Sequence, residues 1–231
     1  MRAGLCLAGL FLALGITTAR ADTPPPMQGP VPAVAELGVD KLISQDELAV
    51  LWTYQDRSNA IRQQMSADQQ LTTPDRDARV TADNRDMHAV DDAAVPIARK
   101  LVTGGFWRDT THRNLFLDHD VYLVVQHSSD MEMRRTTLAE TEPLVAKGLF
   151  SGEQYGLMYD RMALLDGRKQ RFGSQMHCAD GHFEPDPLED PDKVDAWRQQ
   201  YGFHQTLAEY QAGFAGRKCV APLPPQARPK P

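Results

Sequence analysis

The sequence predicts a mainly α-helical fold, a single helical domain with one small β-hairpin. Helix-capping patterns recur along the chain and are followed by apolar residues at helical spacing, and glycines lie where these patterns end. Asp180-Gly181 follows a partly alternating segment and is a hairpin turn signal. We place the domain at residues 40–215 and the hairpin near residues 168–184.

The N-terminus has the features of a secretion signal. A positively charged start precedes an apolar run from Leu5 to Ile16, which is too short to span a bilayer comfortably. A small-x-small triplet at residues 19–21 fits the cleavage rule. We expect residues 1–21 to be removed as a signal peptide and the mature protein to be periplasmic or secreted. An uncleaved anchor is the alternative.

Pro-rich segments flank the predicted domain at residues 22–39 and 216–231, and we expect both to be flexible. The chain has 25 Lys and Arg against 31 Asp and Glu, a formal net charge of −6 at pH 7. Such an acidic protein is a poor partner for nucleic acid and for anionic membrane surfaces. We also expect no transmembrane segment in the mature chain. The expected partner is therefore an unknown small ligand or an envelope protein.

The first helix is predicted from a capping box. Ser44 can accept a hydrogen bond from the backbone N–H of Glu47, and the Glu47 carboxylate can reach back to Ser44. Helical spacing then continues to about Met65, through Leu48, Leu51, Trp52, Gln55 and Asn59. Residues 66–82 are polar and turn-rich, and they predict a connection.

A second helix is predicted from an apolar face between Met87 and Leu101, which ends at two glycines, residues 104–105. Pro96 lies within this face. Because proline removes a hydrogen bond of the helix interior, it predicts a kink or a break.

The most apolar stretch after the signal runs from Phe116 to His127. It fits a buried helix, and a strand is the alternative because Val121, Val124 and Val125 are β-branched. His127 closes this run, so we expect it at the rim of the core.

Three capping patterns predict the helices of the C-terminal half. Each pairs a Ser or Thr with a Glu or Gln three residues later: Ser129 and Glu132, Ser151 and Gln154, Thr206 and Glu209. The helix after Ser151 carries an apolar stripe as far as Leu165 and stops at Gly167. A further helix is predicted at Asp190-Pro191, with proline in the first position.

Three motifs in order resemble a known family. They are the apolar run ending in Gln126-His127, the pair Asp160-Arg161 within a helix, and the segment Gly167-Arg168-Lys169-Gln170-Arg171-Phe172-Gly173-Ser174-Gln175. Together they resemble the family catalogued as domain of unknown function 6624, over about residues 60–212. The resemblance implies a helix-rich domain, and it implies no activity.

His127, Asp160 and Arg161 are the candidate catalytic residues. An imidazole at the rim of a core could transfer protons near neutral pH. Asp160 could orient this ring, and Arg161 could hold an anionic group of a substrate. The alternatives are structural: a histidine that bonds the carbonyls of a helix end, and an Asp–Arg pair or network within the fold.

Gln126, Gln170 and Gln175 are the candidate ligand-binding residues. Gln126 precedes His127, whereas Gln170 and Gln175 fall on a predicted strand beside Arg171. Amides on a strand often bond to the backbone or to neighbouring loops, which is the structural alternative for both.

Two cysteines follow the signal, Cys178 and Cys219. In an oxidising compartment this pair predicts a disulfide closing a loop of about 40 residues. Loose groups of possible metal ligands occur at residues 177–182 and around His112 and His119. Neither has the spacing of a standard metal site, so we expect no metal and no other cofactor.

The chain contains no nucleophile elbow, zincin motif, phosphate-binding glycine loop or dinucleotide fingerprint. Two functional classes stay open: a binding or interaction protein of the cell envelope, and a periplasmic enzyme such as a hydrolase, with His127, Asp160 and Arg161 at its site. The second class, or binding of a small ligand, gains if these residues line one concave pocket with Gln126 and Gln175.

Overall fold

The computed structural model describes residues 29–69, 71–109 and 114–216 and shows a mainly α-helical protein, as predicted. Its α-helices are α1 Gln45–Trp52, α2 Tyr54–Gln69, α3 Arg76–Thr103, α4 Leu115–His127, α5 Met131–Val145, α6 Gly152–Leu165, α7 Val194–Gln200 and α8 Leu207–Ala212. Strands β1 Met176–Ala179 and β2 His182–Pro185 form an antiparallel hairpin. None of the helices in the described ranges combines the length and apolarity that a membrane crossing requires.

Helix α3 organises the core, because it packs against α1, α2, α4 and α5, and α6 then packs on α5. Most of the fully buried apolar side chains come from these helices and the turn after α3; they include Leu48, Leu51, Leu101, Trp107, Val121 and Met158. Burying each leucine contributes roughly 2 kcal/mol relative to exposure. The apolar run that ends at His127 forms helix α4, whose apolar residues are mostly buried. The buried-helix interpretation is therefore confirmed, and the strand alternative is wrong.

The helix starts predicted from local capping patterns agree with the structure at three positions. Complete capping boxes form at Ser44 and at Thr206, and Ser151 accepts a hydrogen bond from the N–H of Gln154. Helix α5 differs from the prediction, since its N-cap is Asp130 and not Ser129. The Asp130 carboxylate accepts from the N–H of Met133, at 3.0 Å.

Helix α3 begins earlier than predicted and ends at the predicted glycines, with Gly104 as its C-cap. Residues 76–82 are helical, because Arg79 ties the first turn to Asp75 and to the buried Asp68 of α2, at 2.9 and 3.1 Å. The helix also continues through Pro96 without a break. Pro96 is exposed, so water can hydrate the carbonyl that lacks its N–H partner.

Residues 29–39 pack against the domain, although the sequence places residues 22–39 in a flexible leader. Val34, Leu37 and Val39 are buried in the core. The Gln45 side chain accepts from the N–H of Val34 and fixes this segment to α1. The predicted signal at residues 1–21 and the tail from residue 217 lie outside the described residues.

The hairpin forms at the predicted turn, where Asp180 and Gly181 have φ of 48° and 84°. These positive values fit the turn that joins two-residue hairpins. Its strands lie later than residue 168, because residues 171–174 form a loop held by α6 instead of a strand.

Candidate functional site

A cleft of about 450 Å³ opens between helices α4 and α6 on one side and the β-hairpin and α8 on the other. The loop before β1 and the residues after α8 also line it. Its α4 wall consists of His119, Tyr122, Leu123, Gln126 and His127. Its α6 wall consists of Gln154, Leu157 and Arg161. The remaining lining residues are Ser174, Gln175, Met176, Phe183, Tyr210 and Phe214. The volume is in the range typical of small-molecule sites.

Helical spacing explains how both walls form. His119, Tyr122 and Gln126 are three or four residues apart on α4, and Gln154, Leu157 and Arg161 have the same spacing on α6. Residues so spaced lie on one face of a helix. The sequence prediction missed Tyr122 and Gln154, although they lie on the helix faces defined by Gln126 and Arg161.

Four of the six candidate side chains line this cleft: Gln126, His127, Arg161 and Gln175. Asp160 and Gln170 do not. The cleft therefore brings together the predicted imidazole, the predicted anion-binding guanidinium and two of the three predicted amides.

Arg161 is the cation of the cleft. One of its N–H groups donates to the backbone oxygen of Gln126, at 2.9 Å. Across the described ranges, no carboxylate lies within 4.0 Å of this guanidinium, and no Asp or Glu is among the residues that line the cleft. Burial lowers the pKa of Arg161, and Arg62 lowers it further, but an arginine stays protonated at neutral pH.

His127 is the last residue of α4, and its Nδ1 lies 3.3 Å from the Tyr54 hydroxyl oxygen. Burial lowers the pKa of His127 to about 4, and the nearby cations Arg62, Arg161 and Arg134 act in the same direction. The imidazole is therefore neutral at pH 7. A neutral imidazole has one N–H and one lone pair, so it can accept a hydrogen bond or a proton.

Two polar atoms in the walls have no hydrogen-bond partner among the described residues: the hydroxyl of Tyr122 and Oε1 of Gln126. Their residues are only 3% and 5% exposed. Buried polar groups without partners are uncommon in folded proteins, and a bound molecule or an ordered water commonly satisfies them. Beside them, the Gln154 amide contacts Nδ1 of His119, whose pKa is lowered by burial.

Asp160 points away from the cleft and supports the loop behind it. Its carboxylate accepts hydrogen bonds from the backbone N–H groups of Arg171, Phe172 and Ser174, at 2.8–3.0 Å. Burial raises the pKa of Asp160, and these hydrogen bonds act against that rise. The geometry therefore assigns Asp160 to the loop at residues 171–174, and the described partner of His127 Nδ1 is Tyr54.

Gln170 also has a backbone role. Its amide nitrogen donates to the carbonyl oxygens of Gln175 and Asp186, and its Oε1 accepts from the N–H of Gln175, all at 2.8–2.9 Å. Gln170 is fully buried, so its amide fixes the loop that presents Gln175 to the cleft. The Gln175 amide itself donates to the Ser174 hydroxyl, at 3.2 Å.

Some residues of the cysteine and metal predictions lie outside the described part of the chain. Cys178 lies on β1, whereas Cys219 lies outside the described residues, so their disulfide stays a prediction. His112 also lies outside them. In the described part, no group of three or more His, Cys, Asp or Glu side chains could hold a metal ion.

The fold and the site define a helical domain with a cleft between α4, α6, the hairpin and α8, in which a guanidinium and several amides lie among apolar side chains. The chain belongs to the family of unknown function DUF6624, whose model matches residues 45–213. This confirms the predicted family resemblance. No curated protein and no solved structure matches the chain.

Proposed function

We propose that the protein binds a small anionic molecule in the cleft, with Arg161 as the residue that recognises the charged group. The observation that carries this proposal is a half-buried guanidinium in a cleft without an acidic lining residue, in a chain whose net charge is −6. A planar guanidinium matches the oxygens of a carboxylate or a phosphate. The shared ligand chemistry is therefore an oxyanion.

The neighbouring polar groups support this proposal. The amides of Gln126, Gln154 and Gln175 and the hydroxyl of Tyr122 can bind the uncharged part of such a molecule. The neutral His127 beside Arg161 favours the second candidate function, a periplasmic enzyme such as a hydrolase that acts on an anionic substrate.

Replacing Arg161 with glutamine is expected to weaken oxyanion binding by about 10–100-fold, because charge-assisted hydrogen bonds contribute about 1.5–3 kcal/mol. The measurement is an NMR titration of the protein with inorganic phosphate and, separately, with acetate, at constant ionic strength. Arg168→Gln is the matched control, since Arg168 is exposed and lies outside the cleft.

If phosphate shifts the NMR signals of the cleft residues, the result supports a phosphorylated ligand. If acetate shifts them, it supports a carboxylate ligand. Failure of both anions to shift the signals of the cleft residues would contradict the proposal. Equal binding by wild type and Arg161→Gln would contradict it as well.

We also propose that the protein works outside the cytoplasm, after removal of residues 1–21 and formation of the Cys178–Cys219 disulfide. The intact mass of the protein expressed with its signal is expected to equal that of residues 22–231 minus two hydrogen atoms. The reduced and alkylated sample is the control for the disulfide. An exported chain that keeps Met1 would exclude cleavage, and a mass without loss of hydrogen would exclude the disulfide.

A further inference from the structure

The hydroxyl of Tyr54 connects the cleft histidine to a carboxylate on another helix. Its oxygen lies 2.8 Å from Oδ1 of Asp91 and 3.3 Å from Nδ1 of His127. Tyr54 is 1% exposed at the start of α2, Asp91 lies on α3, and His127 ends α4. Three helices therefore meet at a short chain of polar groups.

The positions of the protons follow from the donors available. Burial and the Asp91 hydrogen bond raise the pKa of Tyr54, so the hydroxyl keeps its proton. An ionised Asp91 can only accept, so the single tyrosine proton lies between Tyr54 and Asp91. The Tyr54 oxygen then accepts from Nδ1–H of His127, and the lone pair of the imidazole is on Nε2.

We propose that Asp91, Tyr54 and His127 form a hydrogen-bonded relay that fixes His127 as a proton acceptor through Nε2 in the cleft. The inference rests on the proposed function, because the acceptor serves the ligand that Arg161 binds. It narrows the class of ligand to an oxyanion with a proton donor near His127. This donor is a hydroxyl or N–H group of the ligand itself, or a water molecule bound beside it. Asp91 and Tyr54 are positioning residues, and His127 contacts the ligand.

His127 accepts the proton from an O–H or N–H group of the ligand or of a water molecule beside it. The O–H or N–H bond of the donor breaks, its electron pair stays on the donor atom, and the proton forms an N–H bond with Nε2 of His127. The resulting imidazolium keeps its Nδ1–H bond to Tyr54, and the negative charge of Asp91 stabilises it through the relay.

The charges around His127 couple this transfer to ligand binding. Burial is the main reason why the pKa of His127 is about 4, and Arg62 of α2, Arg134 of α5 and Arg161 of α6 also disfavour a positive imidazole. An oxyanion at Arg161 offsets their field, so we expect the pKa of His127 to rise when the ligand binds. By linkage, protonation of His127 strengthens anion binding.

The test is a long-range ¹H–¹⁵N NMR spectrum of the full-length, histidine-labelled protein at pH 7, which reports the protonated ring nitrogen directly. The chain has seven histidines, and the signals of His127 are those lost in His127→Gln. We expect His127 to be protonated at Nδ1. In Asp91→Ala, the tyrosine proton is free to turn to Nδ1, and the imidazole should change to the Nε2–H form.

Asp92→Ala is the matched control, because Asp92 is the exposed neighbour of Asp91 and should leave the tautomer unchanged. If Asp91→Ala does not fold, Tyr54→Phe is the second variant: it removes the Tyr54 oxygen that accepts from Nδ1–H and should also give the Nε2–H form. An Nε2–H tautomer in the wild type, or no response in the folded variant, would overturn the relay.

Inorganic phosphate separates this inference from the proposed function. With phosphate bound, the midpoint of the His127 titration is expected to rise above about 4, where it lies in the free protein. Phosphate binding with an unchanged midpoint would overturn the coupling and leave anion binding intact. Absence of phosphate and acetate binding would contradict the proposed function, while the tautomer in the free protein would still test the relay.

Discussion

Replacing Asp160 with alanine is expected to lower the free energy of unfolding by about 3–5 kcal/mol. The carboxylate is completely buried and accepts from three backbone N–H groups, at Arg171, Phe172 and Ser174. Alanine leaves these three donors without the carboxylate that accepts from them. Urea unfolding followed by circular dichroism measures the loss.

Two further variants separate charge from shape at this position. Asp160→Asn keeps the shape but turns an NH₂ group toward N–H donors, so it should lose most of the same stability. Asp166→Ala is the matched control, because Asp166 caps the same helix and its carboxylate is exposed, where it pairs with Arg135 and Arg168. Asp160→Ala with near wild-type stability would show that the loop does not depend on this carboxylate.

The same variant distinguishes the two roles considered for Asp160. A residue that orients His127 would change the tautomer of the imidazole when it is removed. A residue that holds only the loop would leave the Tyr54–His127 bond in place and change the position of Gln175. In the Asp160→Ala protein that folds, we expect an unchanged His127 tautomer and a displaced Gln175.

The sequence predicted the helices well because their signals are local. A capping box involves residues three apart, and an amphipathic stripe repeats within one helix. The helix starts at Ser44, Ser151 and Thr206 therefore agree with the structure. The predictions failed where a distant contact decides, as at Arg79, whose bond to Asp68 extends α3 through a stretch that is polar and turn-rich.

The candidate site was predicted in part for the same reason. Gln126 and His127 end an apolar helix, and Arg161 lies on the polar edge of an apolar stripe, so their positions at a rim follow from local pattern. Asp160 and Arg161 are neighbours, and neighbours on a helix point roughly 100° apart. One of them had to face a different environment, and the sequence could not indicate which.

The relay and the anchors of the cleft had no signal in the sequence. Tyr54 is 37 residues from Asp91 and 73 from His127, and their contact depends on how α2, α3 and α4 pack. Arg134 similarly resembles any charged residue on the first turns of a helix. Only its burial, with 7% of the residue exposed, shows that it has a structural task.

Replacing Arg134 with methionine is expected to lower the free energy of unfolding by about 2–4 kcal/mol and to loosen the end of α4. The guanidinium donates to the backbone oxygens of Val125, Gln126 and Ser128. The last carbonyls of a helix have no partner within the helix, and a cation there also interacts favourably with the helix dipole. Methionine keeps most of the apolar contact and removes all three donors.

The expected loss of stability is concentrated at the end of α4, so both the total loss and its location can be measured. Urea unfolding gives the total, and hydrogen exchange should be faster in the last turn of α4, which presents Gln126 and His127 to the cleft. Arg135→Met is the control, since the adjacent Arg135 is exposed and pairs with Asp166. Faster exchange at α4 together with weaker phosphate binding would establish that Arg134 positions the cleft wall; unchanged exchange there would limit its role to packing within α5.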